Sequence, residues 1–308
     1  MFDNGFWGIQ ANKKEGLGLI NLKVILICMG INFRKWSSNA RIYTLAALTI
    51  TFLLWLLSGL SQYVSAIDVS ITPWVFPHIL SNPTVIMVYG CFVTLLFCDA
   101  PFIDKYMPFV VIRSGRLNWL LGQLMYIILS GLIFTMLFFV VSLIALIPNL
   151  SFSLEWGTVL KTLSINPEAA FDYRVMIFVN ENIIRMFSPL KALFISLGLF
   201  WLVSVFIGVL IFCFNGVIRK MSGLVAAGTL VFISYFSVYL GSLLFGIGIY
   251  YFSPLSWSSI SYLDWNYTGS FPSPTYAVLF LVGAIFLMSI VSLIVLCKKD
   301  INVQERGY

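Results

Sequence analysis

Charged side chains are scarce in this chain of 308 residues: only 10% are charged, while 60% are apolar and the mean hydropathy is +0.98. In soluble domains about a quarter of the residues are charged, and these cover much of the surface that faces water. The composition therefore excludes a soluble globular domain. Because long apolar runs cross a bilayer as helices, we expect an all-α polytopic membrane protein.

Ionisable residues are missing from the middle of every long apolar run. Carriers driven by ion gradients and proton relays need such groups at membrane depth, because these groups carry the coupling charge. The runs hold only Gln123 and scattered serine, threonine, tyrosine and asparagine side chains. An ion-coupled carrier is therefore disfavoured.

Catalytic and ligand-binding motifs are also lacking. The sequence has one histidine and five cysteines, with no HExxH pair, no CxxC pair and no GxxxxGK[ST] phosphate loop. A metal site has no ligand set, and the chain cannot cradle a nucleotide by itself. We expect no enzymatic activity, no cofactor and no metal in this chain; if ATP drives it, ATP and Mg are bound by another polypeptide.

Five apolar runs approach or exceed the roughly 20 residues that a transmembrane helix needs. They are residues 42–61, 117–147, 190–214, 222–250 and 276–297. A sixth run, 84–98, lies between Pro83 and Asp99 and reaches only about 22 Å as a helix. We therefore predict a domain of six transmembrane helices over residues 41–300.

Lysines and arginines gather on one side of this six-span arrangement. If the loop 99–116 faces the cytoplasm, both termini do as well, and 14 of the 18 basic residues lie inside. Cytoplasmic loops carry such an excess. The net charge of +6 then reflects orientation in the lipid bilayer of the cell membrane, and no basic domain is left to bind nucleic acid.

Residues 1–40 are predicted to be a cytoplasmic segment, and residues 301–308 a cytoplasmic tail. Within the first segment, residues 17–33 are apolar but interrupted, with basic residues at both ends. A spanning helix would place basic residues on the outer side, so an interfacial helix along the inner face is favoured. A seventh span, which would invert the topology, stays open.

Three connections are predicted to face outward: residues 62–82, 148–189 and 251–275. The first holds His78, which we expect at the headgroup level. The second contains Asn166 followed by Pro167 and Glu168, a helix start within a segment that folds down as a cap or interfacial helix; whether it contacts cargo stays open. The third is rich in aromatic residues, and an interfacial aromatic belt is favoured over an outer gate for an amphiphile.

The stretch CDAPFIDKYMPFVVIRSGRLNWLLGQ, residues 98–123, gathers charge, proline and glycine between two apolar runs. Its Lys105, Arg113 and Arg116 favour a cytoplasmic location. The run that follows is long, about 46 Å as a helix. Movement at its base would therefore be transmitted as tilt, and we interpret the loop as one that receives mechanical work from a separate protein.

These features together resemble a type-2 ATP-binding-cassette exporter permease: six spans with both ends inside, an inner-face helix, a short second span and the passage DAPF...RSGRLNWLLGQLMYI. The resemblance covers nearly the whole chain and is architectural. It implies a coupling helix at 101–111 that docks into a groove of an ATPase subunit, with Arg113 and Arg116 in the polar turn into the third span. Pro108 lies inside that helix and is expected to break or kink it. The residues assigned to the ATPase contact are Asp99, Pro101, Phe102, Asp104, Lys105, Arg113 and Arg116.

The resemblance also implies the partners of the chain. These are two ATPase subunits, which bind ATP and Mg, and a second permease chain, identical or paralogous. The assembly would export an amphiphilic substrate such as a peptide, a drug or a lipid-like molecule. Two alternatives stay open: a membrane sensor or immunity subunit that binds a peptide without transporting it, and a channel or ion-coupled carrier.

Overall fold

A computed structural model describes residues 20–103 and 106–298 of the chain. Over these residues the chain forms twelve α-helices and no β-strand. The helices are α1 (Leu22–Arg34), α2 (Ala40–Ile67), α3 (Phe76–Ile79), α4 (Pro83–Phe97), α5 (Met107–Ser114), α6 (Arg116–Ile144), α7 (Gly157–Ile165), α8 (Glu181–Met186), α9 (Pro189–Val217), α10 (Ser222–Phe236), α11 (Ser242–Phe245) and α12 (Pro274–Lys298). Residues 1–19 of the predicted N-terminal segment and the predicted tail lie outside the described residues.

Five helical segments are long and apolar enough to cross a membrane. They are Ala40–Ile67, Arg116–Ile144, Pro189–Val217, Ser222–Phe245 and Pro274–Lys298. Helix α4 is apolar as well, but its 15 residues reach only about 22 Å, which matches the short span expected after Pro83. The prediction of an all-α polytopic membrane protein is confirmed.

Asparagine and proline residues determine where several helices begin. Asn21, Asn39 and Asn82 cap α1, α2 and α4, because each side-chain oxygen accepts a hydrogen bond from a backbone N–H of the first turn. Proline occupies the first position of α4, α9 and α12. There its missing N–H costs nothing, since the first N–H groups of a helix have no partner within the helix.

Helix α9 is the centre of the bundle: it packs against α4, α6, α10 and α12 and is the most deeply buried of the five long spans. Its Phe200 ring packs at a tilt against Tyr89 of α4 with a centroid distance of 4.1 Å, and the Tyr89 hydroxyl donates a 2.7 Å hydrogen bond to the Phe200 carbonyl oxygen. At Gly208 a Cβ would lie 2.6 Å from Ile127 of α6. Close packing around α9 therefore depends on a small residue as well as on aromatic rings.

The fifth span is not the uninterrupted helix that the run 222–250 predicted. Helix α10 is followed by a π-helical turn, Ser237–Gly241, and then by α11, after which Gly246 has a φ of 76°. Glycine takes this conformation without steric cost, so Gly246 ends the span. A 3-10 helix, Ile247–Phe252, then leads into the third outer segment.

The three predicted outer segments gather at one end of the bundle and form a single layer, which we call the cap. Thr72 of the first segment donates a 2.8 Å hydrogen bond to the carbonyl oxygen of Trp156 in the second. The Phe187 ring of the second packs edge-on against Trp265 of the third, with centroids 4.9 Å apart. A 3-10 helix, Pro167–Tyr173, begins at the proline that the sequence indicated as a helix start. The second segment thus packs between the other two, and its location outside the membrane stays a prediction.

His78 is enclosed by the protein, and its expected level near the lipid headgroups stays a prediction. His78 belongs to α3, is 0% exposed and packs against the Trp156 ring at 5.3 Å. Within the described part of the chain, neither ring nitrogen has a hydrogen-bond partner. Burial lowers the pKa of His78 to about 3, so the ring is neutral at pH 7. The cap folds over this histidine, and no pattern in the local sequence predicts that contact.

The aromatic residues of the third outer segment do not all form the expected interfacial belt. Trp257 is fully buried: its Nε1 donates a 2.9 Å hydrogen bond to the Tyr250 carbonyl oxygen, and its ring packs against Phe280 of α12. Phe252 and Tyr267 remain exposed. Part of the aromatic content therefore fills the interior of the cap.

Helix α1 (Leu22–Arg34) covers most of the segment 17–33 and packs against α6. The two backbones come closest at Gly122, where a Cβ would lie 2.6 Å from the Cys28 Cβ and 3.1 Å from the Ile25 carbonyl oxygen. Beside this contact, Asn32 donates a 2.9 Å hydrogen bond to the Gln123 side chain. Gln123, the polar residue in the third span, therefore links α6 to α1. The position of α1 along the membrane face stays a prediction.

Replacing Gly122 by valine should displace α1 from α6, because overpacking against backbone atoms costs about 1–3 kcal/mol. Cys28 is 3% exposed in the folded protein, so its thiol reports this displacement. In a background with the other four cysteines replaced by alanine, maleimide should label Cys28 faster in Gly122→Val than in the parent. Gly283→Ala is the control, since a Cβ there meets nothing within 4 Å; equal labelling of all three proteins would contradict the packing.

Acid should weaken the cap through His78. Its folded-state pKa of about 3 lies below the ordinary value of about 6.5, so the unfolded state binds more protons as pH falls below about 6.5. Stability is therefore full at neutral pH and is lost progressively toward pH 3, by about 2 kcal/mol at pH 5. Thermal unfolding in detergent at pH 7.5 and 5.0 should show a smaller pH dependence for His78→Phe than for the parent. The same dependence in both proteins would contradict the assignment.

Candidate coupling site

The loop between α4 and α6 contains α5 as one continuous helix. The sequence predicted a helix at 101–111 broken or kinked at Pro108; instead the helix begins at Met107 and Pro108 lies in its first turn. That position tolerates proline, so no kink results. Gly115, with a φ of 77°, then makes the turn into α6. Two residues assigned to the contact, Asp104 and Lys105, lie outside the described residues.

Asp99 lies at the end of the bundle opposite the cap, where another residue of the same chain, Arg41, binds its carboxylate. The Arg41 Nη1 at the start of α2 forms an ion pair with the Asp99 carboxylate, although that side chain is 63% exposed. The same Nη1 lies 2.7 Å from the Cys98 Sγ. Asp99 thus joins α2 to the end of α4, and we call this end of the molecule the basic end.

Pro101 and Phe102 face the bundle. Pro101 is buried, and the Phe102 ring packs edge-on against Tyr126 of α6 at 4.8 Å. The Tyr126 hydroxyl accepts a 2.7 Å hydrogen bond from Trp36 Nε1. These two loop residues therefore attach the loop to α6 and to the segment after α1, and their side chains do not form an outer surface.

Asn215, near the end of α9, holds the loop and the following turn together. Its Nδ2 donates to the carbonyl oxygens of Ala100 at 2.8 Å and Cys98 at 3.3 Å. Its Oδ1 accepts a 2.8 Å hydrogen bond from the Gly223 backbone N–H in α10. One buried amide therefore connects α9, α10 and the loop. The sequence offered a signal for it, a polar residue at the end of an apolar run, but not its partners.

Arg116 lies at the start of α6 and is partly buried. Its Nη1 donates a 2.9 Å hydrogen bond to the carbonyl oxygen of Cys297 in the last turn of α12. A cation that binds the final carbonyls of a helix also stabilises the negative end of that helix. Arg116 therefore ties the sixth span to the third.

Helix α5 has one side packed on the bundle and one side exposed. Met107 is buried, and Val110 and Val111 pack partly against the core. Phe109 and Ile112 point outward, 67% and 81% exposed respectively. The spacing follows the helical repeat, in which residues three and four apart share a face. We call the exposed side, with Tyr106 and Arg113 beside it, the outer face of α5.

The structure thus divides the predicted site into two groups. The described residues before α5, Asp99, Pro101 and Phe102, are bound to α2 and α6, whereas Arg113 lies on the exposed side. The sequence-based assignment omitted the two exposed apolar residues of α5. Their helical spacing was readable, but which side of so short a helix is buried depends on its contacts with α1 and α6.

Within residues 20–103 and 106–298, no three histidine, cysteine, aspartate or glutamate side chains come together in a group that could hold a metal ion. Comparison of the chain with protein-family models, with curated proteins and with solved structures finds no match in any of the three.

Replacing Asn215 by leucine should loosen the loop at the basic end. The Ala100 carbonyl and the Gly223 N–H would lose their partner, and each buried group left unpaired costs about 1–3 kcal/mol. Thermal unfolding should occur at a lower temperature, and a thiol reagent should reach Cys98 faster. Asn182→Leu is the matched control, because Asn182 is exposed on α8. Unchanged unfolding and labelling in the Asn215 variant would refute the role of this amide.

Proposed function

We propose that the chain is the transmembrane permease subunit of an ATP-driven exporter of the ATP-binding-cassette type, with α5 as the contact for a separate ATPase subunit. The outer face of α5 carries the proposal. It presents Phe109 and Ile112 to the surroundings beside the cation Arg113. Aromatic residues and arginine are enriched in protein interfaces relative to the rest of the protein surface.

The connections at the base of α5 support a mechanical role. Around it, Asp99 is bound to α2, Phe102 to α6, and the loop backbone to Asn215 of α9. Gly115 leads without further loop residues into α6, which has 29 residues, so a push on α5 acts at the end of a long helix. Because packed helices move as rigid bodies, the push would tilt the spans relative to one another.

The remaining parts of the proposal follow from charge and exposure. The chain would lie in the cell membrane with the basic end and both termini on the cytoplasmic side, as the positive-inside rule requires. Much of α12 is exposed within the described chain, leaving a face for lipid or for a second permease chain, identical or paralogous. Two ATPase subunits would bind ATP and Mg, and the substrate would be an amphiphile carried outward.

The α5 contact can be tested with the double variant Phe109→Ser and Ile112→Ser. Loss of a buried apolar anchor at an interface costs about 2 kcal/mol or more, so affinity for the ATPase subunit should fall roughly thirtyfold or more. The tagged chain is purified from its native host, and the copurified ATPase subunit and its ATP hydrolysis are measured. These variants leave Arg116 and its bond to α12 intact.

Phe152→Ser with Phe171→Ser is the matched control, since both rings are more than 80% exposed in the cap. The control should retain the ATPase subunit. Equal retention by the α5 variant and the control would overturn the assignment of α5. An ATPase subunit that binds normally but never responds to any amphiphile would favour the alternative, a membrane sensor or immunity subunit that binds a peptide without transporting it.

A further inference from the structure

Two adjoining clefts lie at the basic end, beside α5. The first, which we call the polar cleft, has a volume of about 520 Å³ and is lined by Lys35, Arg41, Asp99 and Lys220 among others. The second, the apolar cleft, has a volume of about 480 Å³ and is lined among others by Ile31, Met107, Val110 and Trp119. Asn32, Lys35 and Phe102 line both clefts. A single elongated molecule can therefore occupy the two together.

The polar cleft is positively charged among its described residues. Three cations, Lys35, Arg41 and Lys220, line it against one carboxylate, Asp99. The polar cleft is therefore complementary to an anion.

One donor in the polar cleft lacks an acceptor among the described residues, and a second donor is exposed. The Nε of Arg41 is buried and has no hydrogen-bond partner. The ammonium group of Lys220 is exposed and lines the same cleft. An unpaired buried donor carries a free-energy cost that an added acceptor removes. Phosphate oxygens are suitable acceptors, since they bind guanidinium and ammonium groups strongly.

The apolar cleft suits a hydrocarbon chain. It lies between α1 and α5, and its aromatic and aliphatic wall includes Trp119 and Val110. A free phosphate ion or a short acidic peptide would use the polar cleft and leave this wall uncovered. A molecule with an anionic head and an apolar tail covers both, and in a membrane protein the bilayer supplies such molecules at high local concentration.

We propose that the paired clefts bind one anionic phospholipid, with its phosphate near Arg41, Lys35 and Lys220 and part of one acyl chain between α1 and α5. The proposal goes beyond the permease function and stands without it. In this arrangement the lipid contacts Lys35, which follows α1, and Phe102, which lies in the loop before α5; both residues line the two clefts. Lipid binding therefore stabilises the loop that leads into α5.

The test measures lipid binding to the purified full chain in detergent by native mass spectrometry. Phosphatidylglycerol is compared with phosphatidylcholine of the same acyl chains and with inorganic phosphate. Phosphatidylglycerol should bind tightest, and Lys220→Gln should weaken it about fivefold, the effect of removing one cation near an anionic headgroup. Val110→Phe, which fills the apolar cleft, should also weaken phosphatidylglycerol binding.

Arg219→Gln is the matched control, because Arg219 is an exposed cation adjacent to Lys220 that is not among the cleft residues. It should leave the affinity unchanged. The proposal would be overturned if the two lipids bound equally or if Lys220→Gln and Arg219→Gln had equal effects. It would also be overturned if inorganic phosphate competed with phosphatidylglycerol at the same concentration as the lipid. Phosphatidylglycerol binding that is weakened about fivefold in Lys220→Gln and also weakened in Val110→Phe would support it.

Discussion

The packing of α9 against four other helices is the contact on which the rest of the bundle depends. In a bilayer the hydrophobic effect does not drive helices together, because lipid tails are as apolar as leucine, so close van der Waals contact and internal hydrogen bonds must do so. Phe200 supplies a large flat surface for Tyr89, and Gly208 removes the side chain that would hold α6 away. Every other span is positioned directly by α9 or, like α2, through α6.

The two ends of this bundle are organised by different chemistry. At the cap end, tryptophan and phenylalanine rings fill the interior, and a buried neutral imidazole, His78, lies among them. At the basic end, charged and amide groups join separate helices: Arg41 with Asp99, Arg116 with Cys297, and Asn215 with the loop. Polar bonds at one end and aromatic packing at the other leave Phe109 and Ile112 of α5 exposed within the part of the chain that the structure describes.

Local sequence features predicted the parts of the fold that local physics controls. Proline marked the start of α4 at Pro83 and of the 3-10 helix at Pro167, because the first N–H groups of a helix have no partner within the helix. The sequence assigned Asp99 and Phe102 to the contact with the ATPase subunit. It could not show that both are bound by residues far away in the chain, Arg41 and Tyr126. The same holds for Trp257, whose sequence context is typical of an interface although the ring is buried.

The sequence by itself determined that this chain is helical and spans a membrane. Long apolar runs with few charges are stable in a lipid bilayer, and there they satisfy their backbone hydrogen bonds by forming helices. It also determined the short α4 through the distance between Pro83 and Asp99. Only the tertiary structure decided which polar groups meet, which side of α5 is exposed, and that His78 is buried beneath the cap. These outcomes depend on contacts between residues tens of positions apart, whereas helical periodicity and capping act within a few residues.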